Sequence, residues 1–153
     1  VEAEMETTLK LVVIESPYAQ TARGASWNLR YLYKCIRHSL SCGEAPFASH
    51  GFYTVVLNDS IAEERKLGME AGFAWGKVAE ARVVYVDRGI SPGMEKGIEE
   101  ARKLNQRVTY RSLRRPNMEW FDLASVPQEL INGWPFTNNP CDCDSDEAPC
   151  SER

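Results

Sequence analysis

Two histidines, His38 and His50, are all the imidazole this 153-residue chain possesses, which excludes a histidine-rich metal site. Long apolar runs are missing as well: none approaches the roughly 20 residues that a membrane-spanning helix needs. Glu2, Glu4 and Glu6 are the opposite of a basic signal-peptide start, so the expectation is a cytoplasmic protein without a membrane partner. Cysteine is sparse and odd in number, and with no secretory signal a disulfide framework is disfavoured. What is present, 43% hydrophobic and 26% charged residues, fits one globular domain and excludes collagen, a long coiled coil and wholesale disorder.

The net charge of −4 is unevenly placed. Residues 141–153 hold Asp142, Asp144, Asp146, Glu147 and Glu152 against Arg153 alone, so this tail carries the whole excess and residues 1–140 balance. Global acidity therefore says nothing against an anionic ligand in the body. Cys141, Cys143 and Cys150 share the tail, but they lack the paired two-residue gaps of a structural zinc site, and no metal is expected; the tail reads as solvated and disordered.

Along the body the hydrophobic period alternates. Leu9 to Glu15, with Leu11, Val12, Val13 and Ile14, has the β-branched bias of a strand buried on both faces. Ala25 to Leu40 switches to helical spacing through Leu29, Leu32, Ile36 and Leu40, and Gly43 is placed to stop it. Pro46–His50 and Phe52–Leu57 suggest a second strand interrupted at His50-Gly51. Asp59-Ser60 with Glu63 predicts a capped helix start, followed by Leu67, Ala71, Ala74, Trp75 and Val78 on one face. Gly68, Gly72 and Gly76 recur in that helix at a cost of about 1 kcal/mol each relative to alanine, which implies a close approach, by packing sooner than by ligand contact. Arg82–Asp87 is the clearest strand. Ser91-Pro92 caps a helix bearing Met94, Ile98, Ala101 and Leu104, and Val108–Leu113 is the last strand.

Strand and helix in alternation call for a doubly wound α/β domain with a parallel sheet covered on both faces, here residues 9–116. Residues 117–140, rich in Trp and Pro, form an appendage that either packs back on the body or serves a subunit interface; 141–153 are the tail. No internal repeat is visible.

In an open parallel sheet, ligands gather at the carboxyl ends of the strands. That rule selects Glu15-Ser16-Pro17-Tyr18, the Ser49-His50 region, and Asp87-Arg88-Gly89-Ile90-Ser91-Pro92-Gly93-Met94-Glu95. In the last loop Gly89 and Gly93 permit close backbone approach, Ser91 offers a hydroxyl, and a free helix amino terminus favours an anion. Glu95 lies one turn into the helix and Asp87 at the turn; each also has an ordinary explanation, the helix dipole for the first and turn initiation for the second. The loop lacks the Gly-x-Gly-x-x-Gly spacing and a Walker lysine, and no cofactor is expected.

The stretch from Val83 to Ala101, with Gly89-Ile90-Ser91-Pro92-Gly93-Met94-Glu95-Lys96-Gly97-Ile98, resembles the strand, small-residue loop and Gly-x-Glu-x-Gly-x-x-x-Ala helix of the nucleoside 2-deoxyribosyltransferase superfamily, which includes the 2'-deoxynucleoside 5'-monophosphate N-hydrolases. Leu11–Leu113 as a whole is similar to an uncharacterised domain common in bacteriophage and prophage proteins, through Val13-Ile14-Glu15-Ser16-Pro17-Tyr18-Ala19, Gly43-Glu44-Ala45-Pro46-Phe47-Ala48-Ser49-His50 and Glu64-Arg65-Lys66-Leu67-Gly68. The first resemblance implies a flavodoxin-like (Rossmann-like) sheet of four to five strands and puts Glu95 at the nucleophile position. It implies that Ser91 and the amides near Gly93 bind a 5'-phosphate or sugar hydroxyl, and that Tyr18 matches a first-loop aromatic. The aspartate that handles the leaving base has no counterpart here, because Glu70 is offset from its place.

Catalytic candidates are thus Glu95 and Asp87; substrate-binding candidates are Glu15, Ser16, Tyr18, His50, Gly89, Ser91, Gly93 and Met94. His38 is expected at the surface, Cys35 and Cys42 as small buried hydrophobes, and Arg65 as solvated or ion-paired. The acid-free run with Arg102, Lys103, Arg107, Arg111, Arg114 and Arg115 is read as an exposed edge, and nucleic acid is disfavoured as a partner. The resulting expectation is an enzyme that cleaves or exchanges the N-glycosidic bond of a small-molecule nucleoside or nucleotide through a glutamate. Its alternatives are a non-catalytic nucleotide or nucleotide-signal binding module of phage origin and a structural or regulatory protein; homo-oligomerisation stays open.

Overall fold

A computed structural model of the chain describes residues 8–18 and 25–134. The calls on the acidic Cys/Asp tail and on residues 135–140 lie outside these described residues.

Strand β1 (Lys10–Glu15) buries Val12, Val13 and Ile14 and runs through the middle of the sheet. Helix α1 (Ala25–Ser41) follows, then β2 (Glu44–Phe47), the short helix α2 (Ser49–Phe52), α3 (Ala62–Gly76), β3 (Ala81–Tyr85), α4 (Pro92–Lys103) and β4 (Arg107–Arg111). All three strand pairings are parallel and the order is β2-β1-β3-β4. The expected doubly wound, flavodoxin-like α/β class is the fold observed. Its connectivity runs outward from β1 to β2 and then crosses back to β3, which puts the topological switch between β1 and β3.

Side-chain alternation along the strands divides the interior. Val12, Ile14, Ala81, Val83 and Tyr85 face α1, where Tyr31, Leu32 and Cys35 are fully buried. Val84 and Val86 pack with Met94 and Ile98 of α4, joined by Tyr110, Val126 and Leu130. The appendage therefore packs back on the body over its described part: Trp120 bridges Tyr110 in antiparallel fashion, Asn132 N–H donates to the Val86 carbonyl at 3.0 Å, and Arg114 ties the Glu129 and Gly133 carbonyls.

Several expectations change. The second strand is only Glu44–Phe47, an edge that tolerates Pro46 and pairs with β1 over four residues; the stretch from Ser49 to Val55 is helical, and Gly51 within it lets α2 pack closely on Leu32. Phe52 and Val55, despite their strand propensity, are exposed. The α3 amino terminus has Ile61 at its cap with no side-chain bond, so the capping box is absent; the Asn58 carboxamide and the Glu64 carboxylate hold the turn before it. Leu67, Ala74, Trp75 and Val78 are exposed, and α3 presents its glycine face inward. A Cβ at Gly72 would lie 2.7 Å from Ser49, and one at Gly76 2.8 Å from Arg82 Nη2, so the glycines do serve close packing. In α1 the buried face is Asn28, Tyr31, Leu32, Cys35 and Ser39, leaving Leu40 outside, and Cys42 is exposed.

The basic run is not a free patch. Arg111 is buried and bidentate to Glu44 at 2.6 and 2.9 Å, and the Arg107 guanidinium lies 4.4 Å from the centre of the Phe121 ring. His38 is half-buried, bridging the Tyr85 hydroxyl and the Pro116 carbonyl.

Candidate active site

The loops after β1, β2 and β3 enclose a cavity of about 200 Å³ over the switch between β1 and β3. Glu15 and Arg82 enter it from the sheet, Ser16 and Tyr18 from the loop after β1, His50 from α2, and Ser91, Gly93 and Gly97 from the cap and inner face of α4. Gly68 and Gly72 of α3 supply part of the opposite wall, and Gly72, which also packs closely on Ser49, leaves room there for a ligand. Asp59, Glu64 and Arg65 line it farther along; Arg65 pairs with Asp59 at 3.4 Å.

Strand parity places Val13 and Glu15 of β1 and Arg82 of β3 on the cavity side. The Glu15 carboxylate accepts from Arg82 Nη1 at 2.7 Å, with the two side chains 13% and 2% exposed. Burial pushes the Glu15 carboxyl up to about 7, an effect that the adjacent guanidinium only partly opposes. Arg82 Nε and Nη2 are buried without a hydrogen-bond partner among the described residues. A Cβ on Gly97 would collide with a Glu15 carboxylate oxygen, so the carboxyl occupies the volume this residue leaves empty.

Next to Glu15, Ser16 Oγ and His50 Nε2 are 2.7 Å apart, and the His50 ring meets Tyr18 edge-on at 6.5 Å between centroids. Burial pushes the imidazole down to about 4, so near neutral pH His50 is uncharged and can both give and accept a hydrogen bond. At the head of α4, Ser91 Oγ accepts from the Met94 amide at 3.3 Å, and Gly93 is part of the cavity wall. The arrangement combines a carboxyl that changes charge near neutrality, a neutral donor–acceptor pair and a helix amino terminus.

Of the sequence candidates, Glu15, Ser16, Tyr18, His50, Ser91, Gly93 and Met94 come together here. Three do not. Glu95 is exposed on the first turn of α4 and is not part of the wall. Asp87 is fully buried beneath the loop, where it accepts from Tyr31 OH, Ser112 Oγ and the Leu113 amide at 2.6, 2.6 and 3.1 Å. Gly89, at φ +80°, makes the turn and faces Asn132. Sequence reasoning missed Arg82. An arginine inside an apolar strand had to find a buried acceptor, and that demand pointed to the one acid at the end of a neighbouring strand.

The strand order and parallel pairing define a protein with the fold of the deoxyribosyltransferases. The chain is similar to a 2-deoxyribosyltransferase from Bacillus psychrosaccharolyticus, with a TM-score of 0.52 at 14% identity over 67% of this chain and 72% of that one. It belongs to the family described as a domain of unknown function, DUF7768, whose model matches residues 10–111. No curated protein matches the sequence. No helix among the described residues is long and apolar enough to cross a membrane, and they hold no cluster of three or more His, Cys, Asp or Glu able to bind a metal ion.

Proposed function

We propose that the chain takes a nucleoside or nucleotide into this cavity and cleaves or exchanges its N-glycosidic bond through a glutamate. The observation that carries the reading is a buried glutamate carboxyl in a cavity over the β1/β3 switch of a deoxyribosyltransferase-like sheet. In this chemistry a carboxylate oxygen bonds to the anomeric carbon, C1', while the bond from C1' to the base nitrogen breaks and its electron pair leaves with the base, which takes a proton from water. Water then displaces the carboxylate from C1', giving the free sugar, or the nitrogen of a second base does so, giving exchange; the proton released returns to solvent. The neutral Ser16–His50 pair suits the polar edge of the base or a sugar hydroxyl, and the head of α4 suits a 5'-phosphate.

Incubating the full chain with the four common 2'-deoxynucleosides and their 5'-monophosphates, with and without a second base, tests the proposal by chromatography. Release of free base, or formation of the exchanged nucleoside, is the expected result. Saturable binding without either product would instead identify a nucleotide-binding module.

A further inference from the structure

Resting on that reading of the cavity, the geometry points to Glu15, delivered from the sheet, as the working carboxyl that faces the ligand, with Arg82 as the residue that positions it. Three independent placements converge. Glu15 ends the central strand at the switch point and is part of the cavity wall, whereas Glu95 is exposed outside it. Gly97, two residues beyond Glu95 in α4, has no side chain, and the Glu15 carboxylate fills that gap. Arg82, almost wholly buried, spends its one observed hydrogen bond on Glu15; its position is in turn fixed by Gly76, where any Cβ would press on Nη2. Glycines on α3 and α4 thus bracket an ion pair that spans β1 and β3.

The charges around Glu15 favour this role. Arg82 from β3 is the adjacent cation, and His50 from α2 is neutral near pH 7. From α3 and the turn before it come Glu64 and the Arg65–Asp59 pair; Tyr18 and Tyr53 contribute phenols, and α4 brings no charge to the wall. Burial raises the carboxyl to about 7, so a large fraction is ionised and nucleophilic at physiological pH, and the same group is protonated readily below it.

The test follows Glu15 directly and by activity. In the full chain labelled with 13Cδ-glutamate, one resonance should titrate near pH 7, be missing from the spectra of both Glu15→Gln and Glu15→Asp, and shift when saturating 2'-deoxyadenosine or its 5'-monophosphate is added. Arg82→Lys should displace that midpoint while leaving the other glutamate resonances unmoved. Base release should fall roughly a thousandfold or more in Glu15→Gln. Base release that survives Glu15→Gln and is lost in Glu95→Gln would overturn the assignment and leave the proposed function standing. A Glu15 resonance that titrates with the ordinary carboxylates and ignores both ligands would also overturn it. If no base is released by the unaltered chain but the neutral-pH resonance responds to ligand, the assignment of the ligand-facing carboxyl stands and the N-glycosidic reading falls.

Discussion

Glu15 closes β1 and Asp87 follows β3 by two residues, so two carboxyl groups sit at the ends of neighbouring strands of one sheet. Asp87 receives two hydroxyls and an amide and is sealed under the α1 side of the fold. Glu15 receives one guanidinium and lies against open volume on the side of α3 and α4. A buried carboxylate surrounded by donors is a joint; one with a single partner and an open face keeps part of its hydrogen-bonding capacity for something else. Burial alone does not separate the two roles. Satisfaction does.

The largest effect expected from breaking this contrast is at Asp87. Asp87→Ala leaves the Tyr31 and Ser112 hydroxyls and the Leu113 amide without their acceptor, and should lower stability by about 3–5 kcal/mol in urea unfolding. A loss no larger than that of Glu15→Gln would erase the distinction.

Next in size is the dependence of stability on pH. Glu15 has its carboxyl raised from 4.5 to about 7, so its contribution is present below pH 4.5 and is lost as pH rises towards 7, because the unfolded chain gives up that proton first. His50 has its imidazole lowered from 6.5 to about 4, so its contribution is present above 6.5 and is lost as pH falls towards 4, because the unfolded chain takes up the proton first. Each amounts to about 3 kcal/mol, and between pH 4.5 and 6.5 they oppose each other. Unfolding free energies across that window should be nearly flat for these two groups, rise with pH in Glu15→Gln, and fall with pH in His50→Asn. The same slope in all three proteins would contradict both shifts.

The smallest expected effect sharpens the comparison at the glycine. Gly97→Ala puts a methyl where a Glu15 oxygen lies and should cost about 1–3 kcal/mol as the carboxyl moves aside. Its signature is a displaced Glu15 titration midpoint in the 13C spectrum with Asp87 and its three donors undisturbed; an unchanged midpoint would show that the carboxyl does not depend on that gap.

Much of this was legible in advance. Alternating hydrophobic periods identified β1, α1, β3, α4 and β4, and Ser91-Pro92 marked the start of α4 where it occurs. The rule for strand carboxyl ends found the loops of the cavity, including Glu15, Ser16, His50 and Ser91. The failures share one cause. Phe52–Leu57 and the apolar residues of α3 were assigned by local preference, yet the edge position of β2 and the inward glycines of α3 govern what is buried there. Glu95 stands out in a motif, but its direction depends on the rotational phase of α4 over the sheet, which residues 91–98 alone do not contain.

Periodicity and capping are properties of a few consecutive residues, so the amino-acid sequence by itself determined the order of the four strands and three long helices, the parallel α/β class and the loops that converge on the ligand site. Which carboxyl enters that site was decided only by tertiary structure. The choice required β1 and β3 to pair in register, Arg82 to reach Glu15 at 2.7 Å, and Gly97 to stand opposite, contacts between residues 67 and 82 positions apart in the chain whose cost in burial and charge is defined only once they meet.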